Sequence, residues 1–233
     1  MIASTEHGLF MLSIQRPNLV FYFLSFLEIY LMYNHVMNLP NKLTLIRIIL
    51  VPVMVLIWLF PYHLFGITFI SFNIGPVSLS LLNLIVLFIF ALASFTDFLD
   101  GHLARKNNLV TTFGKFADPI ADKLLVNSTL IILCYKGIIP VVPVILMLSR
   151  DTIVDGCRMI ASQNGVVVAA GILGKMKTVL QMFGIIFSLL NNLPFELFGL
   201  PVSQILIWFS AFVSLLGGYS YYSQVKKYIF ETM

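Results

Sequence analysis

Leu79-Ser-Leu-Leu-Asn-Leu-Ile-Val-Leu-Phe-Ile-Phe-Ala-Leu-Ala-Ser-Phe-Thr96 runs without one ionisable side chain and ends against Asp97. A helix that crosses a bilayer needs about 20 largely apolar residues, because the hydrocarbon is about 30 Å thick and each residue rises about 1.5 Å. Five further stretches share this character: Leu43 to Phe60, Ile120 to Tyr135, Val141 to Leu148 and beyond, Val179 to Leu193, and Val202 to Tyr222. None alternates strictly, as a lipid-facing barrel strand must. The expected fold is therefore an all-α integral membrane protein with six transmembrane helices. Asn41, with Thr44 three residues on, reads as the N-cap of the first helix, and Pro52 is expected to kink it.

Composition supports the same class. Of 233 residues, 59% are hydrophobic and 10% charged, with a mean hydropathy of +0.97. Soluble domains carry about 25% charged residues, so the chain lacks the polar surface to cover a compact body in water. Cys134 and Cys157 have no CxxC spacing, which excludes a zinc ribbon or a dithiol redox motif. The net charge of +4 is too small and dispersed for a nucleic-acid binder. Leu19 to Tyr33 is apolar but short, and Glu28 within it would cost about 2.5–3.5 kcal/mol at mid-bilayer, so it is not counted as a span. Residues 1–36 are read as an N-terminal extension, either interfacial or preceding a native start at Met37, and residues 37–233 as one membrane domain.

The basic residues fix an expected orientation. Lys42, Arg47, Arg105, Lys106, Lys115, Lys123, Arg150, Arg158, Lys175, Lys177, Lys226 and Lys227, 12 of the 14 in the chain, fall near one side of a six-span topology. The opposite connections, Pro61 to Ser78 and Asn191 to Pro201, contain no lysine or arginine, and Lys136 alone lies near that face. By the positive-inside rule the basic side is cytoplasmic in a multi-pass cell-membrane protein.

The acids are clustered more tightly. All six aspartates lie in two segments, Asp97, Asp100, Asp118 and Asp122 in one and Asp151 and Asp155 in the other, at the cytoplasmic ends of expected spans. At 100° per residue, Asp97 and Asp100 lie about 60° apart on one helix face and Asp118 and Asp122 about 40° apart on the next. The polar run between the two pairs, Lys106 to Phe113, is long enough to reverse the chain. The four carboxylates can then converge, and converging carboxylates repel unless cations lie among them. Hard oxygen ligands suit magnesium, manganese or calcium, and two ions are the natural complement. Gly101 and Ala104 share the Asp97 stripe and Gly114 lies one turn before Asp118. These small residues either open space for a ligand or allow close helix packing. Arg105 beside them is suited to phosphate by its bidentate guanidinium, whereas His102 faces away from the stripe.

Asp97-Phe-Leu-Asp100-Gly101-His-Leu-Ala104-Arg105, then Gly114, Asp118 and Asp122, matches at eight positions over 26 residues. The pattern resembles the signature of the CDP-alcohol phosphatidyltransferases. The likeness extends to Asn38-Leu-Pro-Asn41-Lys-Leu-Thr44-Leu-Ile-Arg47, to Ser149-Arg150-Asp151 through Arg158, and to Gly174-Lys175-Met-Lys177-Thr178 and Gln181-Met182. It covers most of the chain from about Met37 onward. The resemblance implies a six-helix enzyme with a cytoplasm-facing active-site cavity, in which a phosphatidyl group passes from CDP-diacylglycerol to an alcohol and CMP is released. Within the family the likeness is greatest to the branch whose acceptor is sn-glycerol 3-phosphate. By the same resemblance, Asp97, Asp100, Asp118 and Asp122 hold two Mg2+ ions, Mn2+ being an alternative. Asp122 is then also the general base, a role that residue type alone would give equally to Asp118. Asp97, Gly101, Ala104, Arg105 and Gly114 surround the nucleotide, and the protein is a homodimer.

Arg47, Arg150, Arg158, Lys175 and Lys177 add positive charge to the same face, as an acceptor bearing its own phosphate requires, and are the expected acceptor phosphate site. Asp151 and Asp155 are expected to pair with Arg150 and Arg158 and orient them. Two rivals differ in substrate or class. One is the same chemistry on serine, inositol phosphate or phosphatidylglycerol. The other is a cation transporter, which predicts internal repeats and mid-membrane acids that the chain lacks.

Overall fold

The computed structural model of the chain describes residues 38–106, 111–166 and 171–231, and within these the side chains of all but 98–106, 115 and 228–231. The extension expected over residues 1–36 lies outside them. Six helices follow in order: α1 Leu39–Leu59, α2 Leu81–Lys106, α3 Thr112–Tyr135, α4 Val141–Gln163, α5 Ile172–Leu189 and α6 Val202–Glu231. Short 3-10 turns lie at Tyr62–Phe65 and Phe195–Phe198.

One part of the connection after α1 departs from the all-α expectation. Ser71–Ile74 (β1) and Val77–Ser80 (β2) pair as an antiparallel hairpin, so Leu79 and Ser80, read above as the start of a span, belong to a strand. The reason is local: Gly75 takes a φ of 60° at the turn and Pro76 follows it. This is the glycine-first arrangement of a two-residue hairpin loop.

The opening of α1 also differs from expectation. The helix begins at Leu39 with Pro40 in its first turn, where a missing N–H costs nothing, so Asn41 is not its cap. Asn41 instead accepts a hydrogen bond from Thr111 Oγ1 at 2.8 Å, and Thr111 caps α3 by accepting from the Gly114 amide at 3.0 Å. The helix continues past Pro52 to Leu59.

Side-chain contacts show that the helices alternate in direction. The starts of α1 and α3 meet the end of α2 through Asn41, Thr111, Arg47 and Asp97. At the far end of α1, the Trp58 indole donates to Asn83 at the start of α2, and Lys136 beyond α3 lies over the Trp58 ring. Near the far end of α5, Asn191 donates to Ser78 O of the hairpin, and Asn192 accepts from the Ser203 amide of α6. Asn191 and Asn192 both take positive φ, which asparagine tolerates better than most residues.

Helix α1 packs on both α2 and α3, α6 packs on both α4 and α5, and contact between the remaining helix pairs is sparser. The core holds Met54, Trp58, Phe90, Leu125, Leu133, Met147, Ile185 and Ile207, all fully buried. Hydrophobic burial cannot drive helices together in lipid, so close packing has to do so. A Cβ at Gly184 of α5 would lie 2.8 Å from Ile207 Cδ1 of α6, which shows how near the two backbones come.

Large apolar side chains such as Leu56, Phe88, Phe116, Ile153 and Phe212 face outward. Among the described residues, three helices are long and apolar enough to cross a membrane: Leu39–Leu59, Ile172–Leu189 and Val202–Lys227. The six expected spans are thus matched by six helices, three of which meet that measure. The span expected from Leu79 gives its first two residues, Leu79 and Ser80, to β2. Its neighbours α3 and α4 carry the charges of the next section, including Asp118, Asp122, Arg150, Asp151 and Asp155.

Candidate active site

The carboxylates of the quoted motif meet the polar end of α1. Arg47, three residues beyond Thr44, has a side chain with no exposed surface. It forms an ion pair with Asp97 of α2 and lies 4.0 Å from an oxygen of Asp122 of α3. One turn back on α1, Thr44 Oγ1 donates to Asp118 Oδ1 at 2.6 Å and lies 3.1 Å from Pro40 O. Three of the four motif aspartates therefore converge on a single face of α1, from two different helices. The side chains of Asp100, Gly101, Ala104 and Arg105 lie outside the described residues. All four occupy the last turns of α2, and the loop that follows them is only partly described.

Gly114 is explained by packing. A Cβ there would meet Asn41 Oδ1 at 3.2 Å and Thr111 Oγ1 at 3.3 Å, so glycine lets α3 close onto the first turn of α1. Asp97 and Asp122 keep 37% and 46% of their side-chain surface exposed while their shared partner Arg47 is enclosed. The arginine is thus a fixed internal countercharge with the carboxylates open on their outer side. Its guanidinium meets these carboxylates and does not line the neighbouring cavity.

Beside Asp122 opens a cavity of about 230 Å³ between α3, α4 and α5. Asp122, Lys123 and Asn127 line it from α3, Asp151, Asp155 and Arg158 from α4, and Lys177, Thr178 and Gln181 from α5. Its charges are arranged in pairs: Lys123 with Asp155, and buried Lys177 with Asp151 at 2.5 Å. Arg158 differs from these. Its guanidinium stands 5.1 Å from the centre of the Tyr221 ring and its Nε donates to the phenol oxygen at 3.2 Å. Among the described residues it meets this aromatic ring rather than a carboxylate.

The five expected phosphate-binding cations are thereby separated. Arg158 and Lys177 line the cavity, and Lys175, on the same helix as Lys177, is exposed and does not. Arg150 does not reach it either: Nε donates to Ser214 O at 2.9 Å, Nη1 lies 3.1 Å from Asp151, and the side chain packs against Gly217 and Gly218 of α6. The expected pairing of Asp155 with Arg158 is replaced by Asp155 with Lys123, because Arg158 is turned toward α6. The sequence marks Lys123 only as one of the basic residues that set topology. Its position directly after a motif aspartate was the available signal. Gln181 is part of the stretch that carries the family likeness, whereas Tyr221 carries no comparable sequence mark.

A model of the family described as CDP-alcohol phosphatidyltransferase matches residues 37–216. The chain belongs to this family. It is 43% identical over 187 residues to a Bacillus subtilis protein named CDP-diacylglycerol–glycerol-3-phosphate 3-phosphatidyltransferase, a match covering 80% of this chain and 94% of that one. A Rickettsia bellii protein of the same name is 40% identical over 192 residues, covering 82% of this chain and 97% of its own.

Proposed function

We propose that the chain transfers the phosphatidyl group of CDP-diacylglycerol to sn-glycerol 3-phosphate, giving phosphatidylglycerol phosphate and CMP. The observation that carries this reading is the convergence of Asp97, Asp118 and Asp122 on Arg47 and Thr44, beside a small cavity to which Lys123, Arg158 and Lys177 contribute. The names of the two relatives agree with it.

Among the described residues no group of three His, Cys, Asp or Glu side chains forms a metal site. The donor set nonetheless fits hard divalent cations: it is all carboxylate oxygen, from three aspartates with Asp100 on the same helix end as Asp97. Asp97, Asp100, Asp118 and Asp122 would hold two magnesium ions, or manganese. Such ions neutralise pyrophosphate charge and polarise the phosphorus when bound.

The protein's own part is positioning and proton transfer. Arg47 holds Asp97 and Asp122 in place against their mutual repulsion, and Thr44 fixes Asp118. Asp122, at the mouth of the cavity, accepts the proton of the acceptor hydroxyl as its oxygen attacks the phosphatidyl phosphorus. The bond from phosphorus to the CMP oxygen breaks, and CMP leaves with the electron pair. Gly101, Ala104 and Arg105 border the nucleotide.

The cavity is smaller than the about 300–1,000 Å³ usual for drug-sized ligands, which suits a small phosphorylated alcohol. Arg158, Lys177 and Lys123 meet its phosphate. The site lies on the cytoplasmic side, where the lysines and arginines concentrate.

Product analysis with purified protein, CDP-diacylglycerol and a panel of acceptors tests the reading. Glycerol 3-phosphate should be converted and glycerol, serine and inositol phosphate should not. Conversion of another acceptor at a comparable rate would reassign the substrate.

A further inference from the structure

Residues 61–80, on the side away from the carboxylates, contain no Lys, Arg, Asp or Glu. The hairpin within them is amphipathic by register. Phe72 pairs with Leu79 and Ile74 with Val77, so these four side chains project from one face, and Ser71, Asn73, Ser78 and Ser80 from the other. The apolar face is only half covered. Val77 and Leu79 are buried, while Phe72 and Ile74 stay 48% and 46% exposed.

The uncovered half is not an isolated patch. Leu64 and Phe65 of the preceding 3-10 turn are also exposed, as are Leu56, Leu59 and Phe60 at the end of α1. Phe60, Tyr62, Phe65 and Phe69 form a contiguous ring cluster, with centroids 4.7–5.3 Å apart, and Tyr62 Oη donates to Ile57 O at 2.9 Å. Aromatic rings gather in this way where hydrocarbon meets water. The hairpin is held firmly: Asn191 donates to Ser78 O at 2.6 Å, and Leu197 lies against Gly75.

We infer that this hairpin is a membrane-interface element, resting Phe72 and Ile74 on the lipid surface and turning Ser71 and Asn73 to water. The inference rests on the reading of α1 as a membrane span. Two physical requirements fix the depth. The outer edge of β1 has no strand partner in the two-stranded sheet, and such an edge in hydrocarbon leaves backbone groups unsatisfied, so the hairpin cannot sink below the boundary. An apolar face continuous with the outward face of α1 cannot rise fully into water without exposing one extended apolar surface. A bilayer answers both, whereas a second protein chain would have to cover the end of α1 as well.

The test is nitroxide scanning of the full chain in vesicles of phosphatidylcholine and phosphatidylglycerol. Single cysteines replace Ser71, Phe72, Asn73, Ile74 and, as a mid-helix control, Ile49, in a Cys134→Ala, Cys157→Ala background. Relaxation by oxygen, which partitions into lipid, is compared with relaxation by a water-soluble nickel chelate, and turnover verifies that each labelled protein is folded. Labels at 49, 72 and 74 should respond mainly to oxygen, and those at 71 and 73 at least threefold more to nickel. If 49 responds to oxygen but 72 and 74 respond to nickel as 73 does, the inference fails while the span reading survives. If 72 and 74 are shielded from both reagents, a protein partner covers them and the inference again fails. A nickel response at 49 removes the span reading and the inference with it.

Discussion

Arg47 of α1, with no exposed side-chain surface, is ion-paired to Asp97 of α2, fifty residues along the chain, and stands 4.0 Å from Asp122 of α3. One buried cation thereby ties two carboxylates from different helices. Removing one partner of a buried pair leaves an uncompensated charge, at a cost of about 3–5 kcal/mol. Half-exposed Asp97 and Asp122 recover part of their hydration, so the lower part of that range applies here. Arg47→Ala is expected to lose about 3 kcal/mol of stability in thermal or denaturant unfolding and nearly all turnover. Arg47→Lys should recover stability better than activity, because an ammonium keeps the charge but not the fixed planar geometry with which the guanidinium sets Asp97 and Asp122.

Arg150 and Arg158 are separated by two turns of α4, yet the structure gives them different work. Arg158 lines the cavity against Tyr221, whereas Arg150 braces α4 to α6 through Ser214 O and the Gly217-Gly218 surface. A charge-assisted contact to phosphate contributes roughly 1.5–3 kcal/mol, and each ~1.4 kcal/mol is a factor of ten. Arg158→Ala should raise the KM for glycerol 3-phosphate about tenfold or more, with little change in that for CDP-diacylglycerol. Arg150→Ala should instead lower the unfolding temperature and affect both substrates alike. Steady-state kinetics and unfolding of the two variants, measured together, distinguish these outcomes.

The contact between α5 and α6 offers a test of packing alone. A methyl group at Gly184 would collide with the Ile207 side chain at 2.8 Å and approach its backbone at 3.5 Å. Overpacking of this kind costs about 1–3 kcal/mol. Gly184→Ala should destabilise the protein by that amount, and Gly184→Ala combined with Ile207→Val should recover part of it. Unfolding in detergent checks the pair.

How far these relationships were readable in the sequence depends on the distance over which each is determined. Helix number and order followed from runs of apolar residues, which are local. The motif aspartates were identified by their spacing, also local, and three of them meet α1 in the folded chain. The hairpin at residues 71–80 was missed because Val77 to Ser80 continues directly into the apolar run of α2. The only sign of a strand there was Gly75-Pro76.

The partners of Arg47 were not readable for a different reason. Its charge is visible in sequence, but whether it faces a ligand or a carboxylate is decided by which helix packs against α1. Asp155 was given the partner nearest on its own helix, Arg158, and takes instead Lys123 from α3. Partners across helices are set by packing, which a single sequence does not display.

The central claim is that the carboxylates around Arg47 perform phosphatidyl transfer with divalent ions. Its most direct test is CMP release from CDP-diacylglycerol with glycerol 3-phosphate, measured on the purified protein before chelation, after it, and after magnesium is restored. Asp97→Asn, Asp118→Asn and Asp122→Asn are run alongside. Release should stop on chelation and return with magnesium, and each variant should fall by at least a hundredfold while remaining folded and inserted. CMP release that survives chelation, or an Asp122→Asn protein that turns over at close to the unsubstituted rate, would contradict the account.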